Sequence, residues 1–157
     1  MGKKKLSDRA KNAAKDLVLA RILLEGANFK RNYPNRPTKA EIKLDVETGV
    51  LDNAPSSIFF RCRFILDAVN KGTDDIVFES DTSFIAEYNK IRKRRFGNKE
   101  LEAFGLISVV YNTWPYLREI IQNMIIRTGL PSLTLNPIKI ADLIQMAESG
   151  KGTYITG

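Results

Sequence analysis

Between Glu41 and Glu47 the chain alternates without a break: Ile42, Leu44 and Val46 fall on one side, Glu41, Lys43, Asp45 and Glu47 on the other. A period of two places one face against apolar surroundings and the other in water, so the stretch is a half-buried strand. Such a strand needs neighbours to pair its backbone and a layer to cover its apolar face. The neighbours follow in the chain. Ser57–Asn70 carries Ile58, Phe60, Cys62, Phe64 and Leu66 on one face; Phe59, Arg61, Arg63 and Ile65 form a mixed second face. Lys71–Asp75 (KGTDD) reads as a hairpin connection, and Ile76–Tyr88 as a returning strand with a bulge expected near Ser80–Ser83. Upstream, Leu17–Leu24 reads as a strand, or a helix running into one. Asn28–Thr38, with two prolines, and Asp52–Ser56, with Pro55, read as a loop and a turn.

The period then changes. Asn98 is placed to cap a helix from Lys99, with Glu100 and Glu102 in its first turn opposing the dipole. Leu101, Phe104, Gly105 and Ser108 recur at helical spacing. Pro115 is expected to start or kink a second segment, whose stripe is Leu117, Ile120, Ile121 and Met124. Gly129 suits a C-terminal cap, Leu130–Pro137 is extended, and Ile138–Ala147 reads as a short final helix. Consecutive strands followed by segregated helices define an α+β fold: a four-stranded antiparallel sheet with C-terminal helices packed on one face. The plan is a basic N-terminal arm over 1–16 (a frayed helix or disordered), one domain over 17–147, and a flexible tail over 148–157.

Composition narrows the chemistry. The chain has no histidine, which removes Ser-His-Asp and Cys-His catalysis and the usual zinc sites. Its single cysteine, Cys62, sits in an apolar run and reads as a buried thiol, with no internal disulfide possible. GKGT at Gly150–Thr153 lacks the spacing of a phosphate loop. An enzyme built on carboxylates alone stays open, but no carboxylate pair stands out to support it. Neither a signal peptide nor a membrane-spanning run is evident, which implies a cytoplasmic protein without membrane insertion.

Charge is segregated. Residues 1–43 hold twelve Lys/Arg against four Asp/Glu, and residues 44–89 three against nine. Residues 90–100 hold six against one. The net +7 is therefore two basic patches around an acidic middle.

Periodicity gives a class; the stretch WPYLREIIQNMIIRTGLPSLTLNPIKIADL, Trp114–Leu143, gives more. It resembles the signature of the SecB family of chaperones. Trp114, Pro115, Tyr116, Arg118 and Glu119 match an aromatic-Pro-Tyr-x-Arg-Glu helix. Arg127, Gly129 and Pro131 match the turn after it. Leu133, Leu135, Pro137, Ile138, Asp142 and Leu143 match the extended segment and last helix. Ala40–Thr48 (AEIKLDVET) is similar to the family's second strand, and Ala27–Asn35 (ANFKRNYPN) to the end of its first. The chain departs from the family where Val110 and Tyr111 replace a Pro-Asn pair. It departs again where Gly26 and Lys30 stand near positions whose acids dock the translocation motor SecA. Glu79 and Asp81 are the remaining acids there, so the pattern counts against SecA docking.

The resemblance implies a non-enzyme, an ATP-independent holdase that binds unfolded polypeptide in apolar grooves with no cofactor and no metal, assembled as a homotetramer, a dimer of dimers. Its role would be protein export or the care of one dedicated client, such as the antitoxin of a toxin–antitoxin system. The groove walls it implies are Ile42, Leu44 and Val46 on one side and Leu135, Ile138, Ile140, Leu143 and Ile144 on the other, against the plain reading of these residues as core. Trp114, Tyr116, Ile120 and Met124 are the expected oligomer interface. Arg118 and Glu119 form either an ion pair or a solvated face. The basic run Lys90, Arg92, Lys93, Arg94 and Arg95 reads first as a solvated loop, then as a patch for acidic partner segments. A small basic nucleic-acid-binding protein is the alternative, with Tyr88 and Phe96 supplying stacking. No helix-turn-helix, zinc-finger or RNP-like pattern backs that alternative.

Overall fold

The alternating segments pair into one antiparallel sheet. In the computed structural model, residues 5–32, 40–131 and 133–149 are described, the side chains of residues 147 and 149 excepted. The strands are β1 (Leu17–Arg31), β2 (Ala40–Asn53), β3 (Ser57–Asn70) and β4 (Ile76–Lys90), in the spatial order β1-β4-β3-β2. Helix α1 (Leu6–Ala14) precedes the sheet. Helices α2 (Asn98–Phe104), α3 (Val110–Arg127) and α4 (Ile140–Ser149) follow it.

The strand best covered is β3, not the more cleanly alternating β2. Ile58, Phe60, Cys62, Phe64 and Leu66 of β3 are all buried and face the helices. Around them Phe64 makes edge contacts with Phe84 and Trp114, while Tyr88 and Phe104 close on Phe60. Leu117, Ile121 and Ile125 of α3 complete this core. The β3–β4 hairpin turns through Gly72 and Asp74, both at positive φ, as a KGTDD connection requires.

Four expectations are corrected. Asn28–Arg31 is strand, not loop: β1 continues to Arg31, with Asn28 opposite Asp81 and Arg31 opposite Phe78. The rest of that expected loop, residues 33–38, lies outside the described residues. The bulge belongs to β1 rather than β4. β3 and β4 stay in register through Ser80–Ser83, whereas β1 slips between Leu24 and Gly26. Glu25 is thereby left unpaired in the ladder and free to aim across the sheet, a common use of a bulge. Pro115 does not divide the helices, since α3 runs through it. The interruption sits earlier, as a π turn over Gly105–Val109. Finally, Gly97 rather than Asn98 stands at the N-cap, where its N–H donates to the Glu100 carboxylate.

The terminal segments take definite forms. Residues 6–14 of the expected basic arm form α1, with Ala10 buried beside Ala103 and Ile107 and Ala13 in the main core. The last helix extends to Ser149, two residues into the expected tail. Residues 150–157, which include the GKGT stretch, lie outside the described residues.

Candidate functional site: an apolar groove beside a cationic platform

The signature residues work as a clamp. The Trp114 indole N–H donates to the Asn136 carbonyl at 2.8 Å, and the Arg118 Nε–H donates to the Leu135 carbonyl at 2.6 Å. These two bonds pin the extended segment 133–139 along α3. They drive Leu135 and Ile138 into the core. Arg118 thus serves a backbone carbonyl, which fits neither an ion pair with Glu119 nor a solvated face.

The residues expected to line a groove divide sharply. Ile42, Leu44, Leu135, Ile138 and Leu143 are buried within the chain. Val46 and Ile144 are half-buried, and Ile140 is exposed. Of the expected interface residues, Trp114 is 1% exposed and belongs to the core, while Tyr116 is 48% exposed. Ile120 and Met124 are half-buried against the main core.

Two apolar surfaces that periodicity did not single out are open instead. One is β1. Val18, Leu19, Leu23 and Leu24 are 38–53% exposed. They lie on both faces of an edge strand whose outer ladder is unpaired. The other is a groove of about 420 Å³ between the end of β2 and the start of the helices. Val50, Phe60 and Leu101 line its sides, and Gly105 its floor. The fit is tight there: a Cβ on Gly105 would stand 3.0 Å from the Thr48 hydroxyl, which would have to shift. Exposed Leu51, the bulged residue of β2, follows Val50 at this edge.

Beside the groove lies the basic run, held rigidly. The Ile91 N–H donates to the Asp16 carbonyl at 2.8 Å. Arg94 binds both the Asp16 carboxylate, at 2.6 Å, and Glu100, and stacks its guanidinium 4.0 Å from the Phe96 ring. Asn12 donates to Glu100 at 3.1 Å. The Arg94 guanidinium holds the Glu100 carboxyl below its usual range. Lys90 binds Asn53 and the Ala54 carbonyl, near the groove end. So Arg94 and Lys90 are structural. Arg92 keeps only a 3.6 Å approach to Asp16 on a highly exposed side chain. Lys93 and Arg95 are exposed and have no ion-pair partner among the described residues.

The far face of the sheet is a lattice of ion pairs. Arg61 binds Glu25 through two hydrogen bonds, at 2.6 and 2.7 Å, the bulge having brought Glu25 within reach. Arg63 binds Asp81 at 2.6 Å and Glu47 at 3.3 Å, and Arg21 binds Glu87. Hydrogen bonds from these arginines lower the carboxyl pKa of Glu25 and Asp81. Asp67 moves the other way, raised by partial burial and then by the charges of Glu79 and Asp45. Much of the acidity of this face is therefore neutralised by its own arginines. In the core, burial pushes the Cys62 thiol up to about 12, far from any nucleophilic role.

A sheet ordered β1-β4-β3-β2, with a long helix beneath it and an extended segment pinned to that helix, is the SecB-like fold. The particular likeness is to the Mycobacterium tuberculosis Rv1957 SecB-like chaperone, solved in complex with a ChAD peptide from the Rv1956 HigA1 antitoxin. The two structures superpose with a TM-score of 0.72 at 22% identity, covering 84% of this chain and 97% of that one. A protein of unknown function from Streptococcus agalactiae matches with a TM-score of 0.44 at 10% identity, over 77% and 97% of the two chains. No family model matches the sequence, and no curated protein matches it significantly. Among the described residues no helix is long and apolar enough to cross a membrane.

Proposed function

We propose that the chain is an ATP-independent holdase of SecB type, non-enzymatic and cytoplasmic, that holds non-native polypeptide for a dedicated client such as an antitoxin. The observation that carries this reading is the fold shared over 84% of the chain with a SecB-like chaperone solved with a client peptide. The open groove along Val50, Phe60 and Leu101 supplies a surface suited to extended apolar segments. Val46, Ile140 and Ile144 remain the accessible members of the expected groove walls. Apolar burial yields only about 25 cal/mol per Å², and ordering the client offsets much of it. Holding therefore depends on several sites along one wrapped client.

Assembly as a homotetramer belongs to the same reading. An edge strand with exposed Leu19, Leu23 and Leu24 is a surface that soluble proteins cover, and a second copy is the partner the family resemblance implies. Export through SecA is the less favoured role, because Asp81, Glu25, Glu47 and Glu87 are engaged by arginines of the same face. The nucleic-acid alternative loses its stacking groups: Tyr88 is 2% and Phe96 6% exposed.

Suppression of aggregation of a chemically unfolded protein tests the reading. Suppression should persist at about 0.5 M salt, where screening reaches a few ångströms. Its absence at every chaperone ratio, or a strictly monomeric mass, contradicts the proposal. Native co-purification then separates the roles: one small partner points to a dedicated client, and SecA with many precursors to export.

A further inference from the structure

We propose that the groove and the basic run form one bipartite site, which takes a polypeptide whose apolar stretch is followed by a run of Asp or Glu. The inference rests on the holdase reading and names the chemistry of the preferred client.

Continuity is the first support. Asn98 borders the β2–α2 groove, with Val50 and Leu101. It also borders a second depression of about 380 Å³ lined by Arg9, Asn12 and Lys99. Asn53, also on the groove's lining, accepts from Lys90 at 2.6 Å, where the basic run begins. A chain leaving the groove at either point meets cations.

Charge is the second. Asp16 and Glu100, the acids that contact the run, are both engaged by Arg94, while Glu102 stands exposed on the groove wall as the acid a client flank must pass. Lys93, Arg95 and Lys99 are left exposed, with no ion-pair partner among the described residues, and Arg9 is half-exposed. The platform that carries them is fixed by the Asp16, Glu100 and Phe96 contacts, so ordering it on binding costs little.

Surface chemistry selects the occupant. Ile91, 60% exposed, stands within the run beside Arg92 and Lys93. An apolar contact amid cations suits an acidic peptide with aliphatic side chains. A nucleic acid would ask for an exposed aromatic platform, and Tyr88 and Phe96 are buried.

Fluorescence anisotropy with the full chain tests this. Three labelled peptides share one apolar stretch and carry a flank of Glu, Gln or Lys. At about 0.05 M salt the Glu-flanked peptide should bind roughly tenfold more tightly than the Gln-flanked one, and the gap should close by about 0.5 M. In the K93E/R95E/K99E variant, with far-UV dichroism unchanged, the order of the Glu and Lys peptides should reverse. Equal affinity for all three peptides, alongside intact suppression of aggregation, overturns the bipartite site but not the holdase. No binding by any peptide and no suppression overturns both. Displacement of the Glu-flanked peptide by DNA at lower concentration overturns it in favour of a nucleic-acid surface.

Discussion

β1 and β3 are both long strands rich in aliphatic side chains, yet they have opposite fates. β3 lies second from one edge, under α3 and the π turn, and its inward side chains are sealed. β1 lies at the other edge, beyond the helical layer, and Leu24 there is 53% exposed although it shares a face with buried Phe84. Hydropathy alone does not separate the two. What decides is whether an element lies overhead. An apolar strand left bare by its own chain is the surface on which the proposed second copy would sit.

The largest break in this comparison comes from β3. Phe64→Ala removes the ring between Phe84 and Trp114 and should cost about 3–5 kcal/mol in a urea melt. Next comes alkaline loss of stability. Burial raises Cys62 from 9.0, and Tyr88 from 10.0, to about 12 each. The unfolded chain releases these protons first, so stability should fall as pH rises from 9 towards 12. Tyr88→Phe should shrink that fall. Trp114→Phe removes the bond to the Asn136 carbonyl and should cost about 1–3 kcal/mol. A protease should then cut the segment 133–139 sooner. On β1, Leu23→Ser with Leu24→Ser should change monomer stability by only about 0.5 kcal/mol. It should nevertheless lower the mass seen by sedimentation if this strip is an interface. Arg63→Gln, on the solvent-facing lattice, should leave the melt unchanged in moderate salt.

Legibility followed the same division. Ser57–Asn70 and Ile76–Tyr88 were readable because alternation survives where one face is buried and the other wet. β1 was under-read because its end over Asn28–Arg31 holds one apolar residue, Phe29, which packs on Phe78 amid polar neighbours that resemble the proline-rich stretch after them. The SecB-like signature led to the right segment, but its residues proved to hold the fold: Trp114, Arg118 and Leu135 bind inward. The open groove was missed because it forms between Val50 and Leu101, far apart in sequence, and no local period can announce it. A bulge left no signal at Glu25 either, since its partner Arg61 lies two strands away.

The π turn sets the phase of everything after it. With Gly105, Ile107 and Val109 all buried, the turn widens the helix by one residue before the buried positions settle into the steps Trp114, Leu117, Ile121 and Ile125. Deleting one residue from Gly105–Val109 would leave a hydrogen-bonded helix of good propensity. It would also rotate α3 by roughly 100° relative to the sheet, carrying Trp114 away from Asn136 and Phe64. The helix would be intact and the protein lost, because this fold depends on a count of residues as much as on their kinds.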